Sequence, residues 1–195
     1  MLSLKNSLAV LKKTEALKEG HFILSSGLHS PQYVQCAKLL SYPHLSKKLC
    51  KSLASKIKKK FKKIDIILSP AIGGIVIGYE IGRILKIETI FCERVNGKFN
   101  LRRGFFIKPK SKVLIIEDVI TTGKSSMECL KLIKDSKASL IGFACIIDRS
   151  NRKELRIKKK ILSQVKLKIP TFKKKNIPNY LKKIPITSPG SRRIK

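Results

Sequence analysis

The apolar positions of this chain recur first at helical spacing. Leu4, Leu8 and Leu11 fall on one helix face, which predicts a first helix. Gly20 is expected to end that helix, and the chain from residue 21 to 24 then looks extended. A second helix is expected to begin at Pro43, since proline suits the first helical position. Its predicted buried stripe consists of Leu45, Leu49, Leu53 and Ile57.

Four short apolar runs have the length and composition of buried strands. They are residues 64–68, 88–92, 112–116 and 140–147. After the first run, Gly73 and Gly74 lead into an apolar helical pattern that ends near Leu85, and another helix is expected to begin near Ser125. Strands that alternate with helices predict an α/β fold, with a mostly parallel central sheet and helices on both faces.

The segment 93–107 departs from this alternation. It contains Asn96-Gly97, a pair that favours a tight two-residue hairpin turn. We interpret the segment as a flap that leaves the sheet.

The pattern predicts one domain over residues 1–195, with three parts. An N-terminal region covers residues 1–42, the α/β core 43–150, and a C-terminal extension 151–195. Prolines interrupt the extension too often for a second domain. No apolar run approaches the roughly 18 residues that a membrane span needs, and the N-terminus lacks a signal-peptide pattern. We therefore expect a cytoplasmic protein without a membrane partner.

Charge and cysteine usage restrict the classes of function. The net charge of +32 would suit nucleic-acid binding, but the lysines are spread over the whole chain, and aromatic residues make up 6% with no tryptophan. We expect anionic small substrates and no dedicated nucleic-acid binding. The five cysteines stand singly and only three histidines are present, so no zinc-ligand spacing exists.

The segment from Glu117 to Ser125 carries the strongest chemical signal. A buried strand delivers two adjacent carboxylates, Glu117 and Asp118, at the edge where ligands bind in open α/β sheets. The following loop offers hydroxyls and backbone N–H groups to a phosphate, and it leads into a helix N-terminus. The carboxylates can accept ribose hydroxyls or hold Mg²⁺ through water. One alternative is that the carboxylates only cap the next helix, whereas a P-loop is excluded because Asp118 stands where that motif needs glycine.

A second loop follows another predicted strand. In Ser69-Pro70-Ala71-Ile72-Gly73-Gly74, small residues let the backbone approach a ligand closely, and its N–H groups can bind an anion. Alone, this pattern is more typical of an ordinary turn. Its position after a strand, matching the position of residues 117–125, favours a binding role.

Residues 117–125 resemble the phosphoribosyl-diphosphate signature of type I phosphoribosyltransferases. The resemblance implies that Glu117 and Asp118 hold the ribose hydroxyls, with Mg²⁺ bound indirectly through ribose or water. It also implies a phosphate cradle and a diphosphate loop. The phosphoribosyl-diphosphate ligands would be Glu117, Asp118, Val119, Ile120, Thr121, Thr122, Gly123, Lys124, Ser125, Arg94, Ala71, Gly73 and Gly74.

Residues 20–33 resemble the N-terminal hood of orotate phosphoribosyltransferases in that family. Typical members have a lysine where this chain has Ser25. Arg149 follows the last core strand, and arginine suits bidentate capture of the orotate carboxylate. A surface ion pair with Glu154 is the alternative for Arg149. The resemblance implies an orotate site at Thr121, Arg149, Ser25 and Ser26.

The flap is where the similarity weakens. It keeps Arg94 and Lys98 but is shorter than typical, and Arg102 and Arg103 could replace missing cations. The resemblance implies that Lys98 acts in catalysis with Glu117 and Asp118. A solvated basic hairpin is the alternative.

The resemblance as a whole implies an orotate phosphoribosyltransferase that uses Mg²⁺. Such an enzyme transfers ribose 5-phosphate from 5-phosphoribosyl 1-diphosphate to orotate in pyrimidine synthesis, and a homodimer is expected. Two alternatives stay open. One is a phosphoribosyltransferase for another base, such as a purine. The other is a non-enzymatic regulator that senses phosphoribosyl diphosphate or binds RNA.

Overall fold

The computed structural model describes residues 1–24, 26–151, 155–159 and 161–189. Its helices are α1 (Leu4–Lys13), α2 (Cys36–Leu40), α3 (Pro43–Lys60), α4 (Gly73–Leu85), α5 (Lys124–Asp135) and α6 (Asn179–Lys182), with a 3-10 turn at Lys174–Asn176. Its strands are β1 (Leu17–Ile23), β2 (His29–Val34), β3 (Ile66–Pro70), β4 (Thr89–Val95), β5 (Lys98–Asn100), β6 (Lys112–Ile120), β7 (Ser139–Asp148), β8 (Ile161–Lys166) and β9 (Ile186–Thr187).

The central sheet has the strand order β5-β4-β3-β6-β7-β8. Neighbouring strands run parallel except β5, which pairs antiparallel with β4. The turn between β4 and β5 is Asn96-Gly97, and both residues have positive φ as a tight hairpin requires. The predicted parallel α/β fold and the hairpin are confirmed.

Hydrophobic packing covers both faces of this sheet. On one face, Ile67 and Leu114 lie in a cluster with Leu53 of α3 and Ile77 of α4. On the other face, alternate strand residues such as Ile115 pack in a second cluster that includes side chains of α5. Because successive strand side chains point to opposite faces, strands covered on both sides read as continuous apolar runs.

The first helix ends earlier than the sequence pattern predicts. It stops at Lys13, where the Thr14 hydroxyl donates to the carbonyls of Val10 and Leu11. Gly20, the predicted helix end, instead lies inside β1, at a register shift in its antiparallel pairing with β2. The prediction was wrong here because pairing with the next strand, β2, overrides the local helical pattern.

The C-terminal extension adds to both sheets. Strand β8 pairs parallel with β7 and becomes the edge of the central sheet. Strand β9 pairs with β1, which completes a small sheet of order β2-β1-β9. The sequence pattern had indicated neither strand. Within the described residues, no helix combines the length and hydropathy that crossing a bilayer requires.

Candidate active site

The strand order defines where a ligand can bind. From β3 the chain proceeds to β4 on one side, and then to β6 on the opposite side of β3. This reversal leaves a crevice outside the carboxyl ends of β3 and β6, the usual ligand position in open α/β sheets. Both loops singled out in the sequence, residues 71–74 and 121–125, begin at these strand ends.

Glu117 and Asp118 lie near the carboxyl end of β6, next to the crevice. The Glu117 carboxylate is 9% exposed and accepts a hydrogen bond from the Ser126 hydroxyl. Burial raises the pKa of Glu117 to about 7, against the opposing effects of the Ser126 hydroxyl and backbone N–H, while neighbouring Asp118 raises it further. Burial also raises the pKa of Asp118. Near neutral pH, Glu117 can therefore exchange a proton.

The alternative that the two carboxylates cap the next helix holds for Glu117 only. Its carboxylate bonds Ser126, the third residue of α5, so Glu117 serves the first turn of that helix. The Asp118 carboxylate instead faces the loop after β3. A Cβ atom added to Gly73 would lie 2.8 Å from Asp118 Oδ1. This close approach brings the two loops together across the crevice.

The loop after β6 presents unpaired backbone donors. Gly123 has φ 71° and caps α5. In the parts of the chain that the structure describes, the N–H groups of Thr122, Gly123 and Ser125 donate to no acceptor. Because these donors stand at the N-terminus of a three-turn helix, they favour a bound anion.

Packing from the C-terminal side fixes the shape of this loop. The Thr122 carbonyl accepts a hydrogen bond from the Arg156 N–H at 2.9 Å. Ile157 leaves no room for a side chain at Gly123, since a Cβ there would lie 2.7 Å from Ile157 Cγ1. Of the predicted phosphate ligands in the loop, Thr121 and Lys124 are exposed, whereas the Ile120 side chain lies in the core.

The loop after β3 is held close to the sheet. The Ala71 N–H donates to the Cys92 carbonyl at 2.8 Å, and the peptide bond between Ala71 and Ile72 is cis. Gly74 is buried, and a Cβ there would lie 3.1 Å from the Ile116 carbonyl. Gly73 is exposed at the first position of α4, where a backbone N–H has no acceptor within the helix.

Arg149 follows β7 on the same edge of the sheet. Its N–H donates to the Ile120 carbonyl at 2.9 Å, which ties it to the end of β6. Burial lowers the pKa of the guanidinium, and the Tyr33 phenol of β2 acts in the opposite direction. Arg149 thus lies between the core and the N-terminal hood. Glu154, its alternative ion-pair partner, lies outside the described residues.

The other predicted orotate ligands are peripheral or not described. Ser26 is exposed in the turn between β1 and β2. Ser25 lies outside the described residues. Thr121 begins the same loop whose free N–H groups could bind a phosphate.

The predicted flap cations are mostly engaged in ion pairs. Arg94 pairs with Glu128 of α5 at 2.5 Å and donates to the Gly97 carbonyl at 2.7 Å. Arg102 and Arg103 both pair with Glu93, at 3.7 Å and 3.2 Å. Lys98 is exposed at the start of β5 and forms no ion pair with any described residue.

The donor set fits a magnesium ion only when substrate supplies further oxygens. Among the described residues, no group of three His, Cys, Asp or Glu side chains could hold a metal ion. Mg²⁺ commonly uses one or two carboxylates together with water and substrate phosphates. Asp118 and Glu117 match that pattern.

The strand order of this parallel sheet changes direction at β3, and two adjacent carboxylates and a loop with free N–H groups lie at that point. Such a site is typical of enzymes that bind sugar phosphates. The family model described as the phosphoribosyl transferase domain matches residues 40–181. The chain therefore belongs to the phosphoribosyltransferase family, and the resemblance found in its motifs is confirmed.

Individual relatives refine this assignment. An orotate phosphoribosyltransferase of Caulobacter vibrioides is 44% identical over 180 residues, which cover 92% of each chain. The crystal structure of orotate phosphoribosyltransferase from Aeropyrum pernix superimposes with a TM-score of 0.68 at 20% identity, covering 82% of this chain and 93% of that one. Adenine phosphoribosyltransferase from Thermoanaerobacter pseudethanolicus gives a TM-score of 0.60 at 15% identity, covering 70% and 88%. At these identities the two structures show the shared fold alone.

Several site residues escaped the sequence reasoning. Ser126 holds Glu117 although nine residues separate them, and no sequence pattern announces that contact. Tyr33 faces Arg149 only because β2 folds back over the core. The ion pair of Glu128 with Lys124 could have been predicted from the sequence, because the two residues stand four apart on a predicted helix.

Proposed function

We propose that this chain is an orotate phosphoribosyltransferase. It joins N1 of orotate to C1 of 5-phosphoribosyl 1-diphosphate, and it releases orotidine 5′-monophosphate and diphosphate in pyrimidine nucleotide synthesis. The observation that supports the proposal is the approach of Asp118 to Gly73, because an acidic strand end and two loops with the predicted phosphate-binding pattern then meet at one crevice. The relatives of more than 40% identity support orotate as the base.

Binding of the activated sugar uses the two loops at different ends of the substrate. The free N–H groups at the start of α5 would hold the 5′-phosphate. Asp118 and Glu117 would accept the ribose hydroxyls, and a Glu117 with a pKa of about 7 can also donate to one. Ala71, Gly73 and Gly74 would border the diphosphate, and Gly73, exposed at the first position of α4, would offer it a backbone N–H.

Orotate would be oriented by its carboxylate. The Arg149 guanidinium can pair with that carboxylate in a bidentate manner. Partial burial favours such a pair. It withdraws the guanidinium from water, and a carboxylate nearby compensates for the lost hydration of the charge. A purine base has no carboxylate and would leave this charge uncompensated.

The reaction requires positioning and charge stabilisation more than a strong base. The C1–oxygen bond to diphosphate breaks through an oxocarbenium-like state, and the orotate nitrogen, acidic enough to lose its proton to solvent, takes the vacant position on C1. Mg²⁺, held by Asp118, Glu117 and substrate oxygens, would supply neutralisation of the departing diphosphate. Lys98 and the flap arginines would add positive charge on the leaving group.

We also propose that the chain acts as a homodimer. Ile72, which precedes α4, forms a stripe with Val76 and Tyr79 of that helix, and their exposed fractions are 85%, 52% and 66%. Contiguous exposed apolar side chains at one helix face mark an interaction surface. Sedimentation velocity should show a dimer that the Val76→Lys, Tyr79→Lys variant converts to monomer. A monomeric wild-type protein contradicts the proposal.

A reducing compartment is the expected setting, and we propose the cytoplasm. All five cysteines are buried free thiols. Disulfides are rare where glutathione keeps thiols reduced, and a chain with five unpaired cysteines suits that environment.

A competition assay tests the proposed substrate. Wild-type protein, Mg²⁺ and limiting 5-phosphoribosyl 1-diphosphate are mixed with equal orotate, adenine and uracil, and the nucleotide products are separated. The expected product is orotidine 5′-monophosphate. Adenosine or uridine monophosphate as the main product would reassign the base. No nucleotide product, together with salt-sensitive RNA binding, would favour the regulator.

A further inference from the structure

The cations near the phosphate loop meet at one carboxylate. Glu128 lies on α5, one helical turn after Lys124, which directly follows the loop. Its Oε2 atom lies 2.5 Å from Arg94 Nη2, and its Oε1 atom lies 3.9 Å from Lys124 Nζ. Glu128 therefore joins the base of the flap hairpin to the helix whose N-terminus forms the anion cradle.

Arg94 is held in one orientation by three contacts. Its guanidinium lies 4.1 Å from the centroid of the Phe99 ring, and Nη1 donates to the Gly97 carbonyl at 2.7 Å. The Glu128 carboxylate contacts Nη2 on the same guanidinium. The Gly97 contact is a hydrogen bond and the Glu128 contact is an ion pair, so most of the five N–H donors of the guanidinium stay available to an anion.

The three contacts differ in what they fix. The Phe99 ring and the Gly97 carbonyl belong to the hairpin itself, so they would move with it. Glu128 is the contact that relates Arg94 to α5 and hence to the phosphate loop. It is about one third exposed, as is Arg94, so the pair can reorganise without unfolding the core.

We propose that Glu128 is a positioning residue for 5-phosphoribosyl 1-diphosphate, acting by holding Arg94 beside the phosphate loop. The inference rests on the proposed function and deepens it. Fixing the guanidinium before the substrate arrives removes part of the ordering cost of binding. Glu128 also offsets the repulsion between two neighbouring cations, Arg94 and Lys124.

The Glu128→Gln variant tests this role by separating KM from kcat. Removing the charge should raise the KM for 5-phosphoribosyl 1-diphosphate by about fivefold to tenfold, a usual range for coupled neighbouring groups. The KM for orotate and kcat should change by less than about twofold, because the proposed orotate ligand is Arg149 and not Arg94. Glu80→Gln is the matched control, since Glu80 forms a similar ion pair with Arg83 on α4.

A double-mutant cycle identifies the route of the effect. If Glu128 acts through Arg94, then Glu128→Gln should add little to an Arg94→Gln variant. An unchanged KM in Glu128→Gln overturns the proposal. A lowered KM overturns it too, because Glu128 would then compete with the substrate for Arg94. An equal rise in KM with and without Arg94 also contradicts it.

Calorimetric binding of the sugar diphosphate separates this inference from the proposed function. Binding without turnover on orotate, lost in Glu128→Gln, would refute the proposed reaction and leave the positioning role intact. Normal turnover of the wild-type protein, with unchanged binding in Glu128→Gln, would refute the positioning role and leave the proposed reaction intact. If Glu128→Gln folds poorly, Glu128→Asp provides the test, because it keeps the charge on a shorter side chain. The KM of Glu128→Asp for the sugar diphosphate should rise less than the KM of the folded fraction of Glu128→Gln.

Discussion

Replacing Gly73 by alanine should slow the reaction without weakening the fold. The added Cβ would lie 2.8 Å from Asp118 Oδ1, and 2.9 Å from both Cγ and Oδ2. Ordinary contacts of this kind begin near 3.4 Å, so the carboxylate must retreat by about 0.6 Å. A displacement of 1 Å at a reacting group can cost about 100-fold in rate, so we expect about a tenfold loss in kcat/KM. That loss corresponds to about 1.4 kcal/mol of transition-state stabilisation.

Stability should respond in the opposite direction. Gly73 is exposed at the start of α4, where alanine is the better helix former by about 0.5–1 kcal/mol. The assay therefore pairs initial rates of orotidine 5′-monophosphate formation with thermal unfolding of the same samples. Lower activity at an unchanged or higher Tm is the expected result.

The effect must pass through the carboxylate if the reasoning is right. In an Asp118→Ala background, where no carboxylate opposes the new methyl group, Gly73→Ala should cause no further loss of residual activity or of sugar-diphosphate binding. An equal loss in both backgrounds would show that alanine acts on the loop itself. Full activity of the single Gly73→Ala variant would refute the predicted clash.

Two further changes test other parts of the site. Burial raises the pKa of Glu117 from its ordinary 4.5 to about 7, so the stability that this proton binding provides is complete below pH 4.5 and is lost as the pH rises through 7. The wild-type protein should lose about 3 kcal/mol of unfolding free energy through this group between pH 5 and 7, and Glu117→Gln should lack that decrease. Urea denaturation at several pH values measures both curves, and a parallel pH dependence in both proteins would contradict the raised pKa. Arg149→Gln should raise the KM for orotate at least about tenfold and leave the KM for the sugar diphosphate nearly unchanged, in steady-state kinetics, because it removes a charged hydrogen-bond donor to the orotate carboxylate; an equal rise in both KM values would mean that Arg149 shapes the crevice generally.

Local signals in the sequence predicted the core elements of the fold. Pro43 begins α3 and Asn96-Gly97 forms the hairpin turn, since each constrains its own backbone. Gly20 was misassigned because its environment is set by pairing with β2, a partner that no local pattern reveals. Strand β8 was missed because its place in the sheet depends on β7, beyond a segment with weak apolar periodicity.

The candidate site divides in the same way. Glu117 and Asp118 were predicted because strand, acidic pair and loop are adjacent in sequence. The contact between Asp118 and Gly73 joins loops more than forty residues apart, and only the strand order brings them together. The pairing of Arg94 with Glu128 likewise depends on how the hairpin packs against α5, so the sequence identified the flap cations but not their ion-pair partners.

Product stoichiometry in the Asp118→Asn variant is the most direct test of the central claim, which is that the acidic strand end and the loop after it hold the activated sugar during transfer. Wild-type protein with orotate, Mg²⁺ and 5-phosphoribosyl 1-diphosphate should yield orotidine 5′-monophosphate and diphosphate in equal amounts. Asp118→Asn should keep the fold and lose at least about 100-fold in rate, as the loss of a residue that stabilises a transition state typically causes. Equal amounts of both products at the wild-type rate from Asp118→Asn would contradict the central claim.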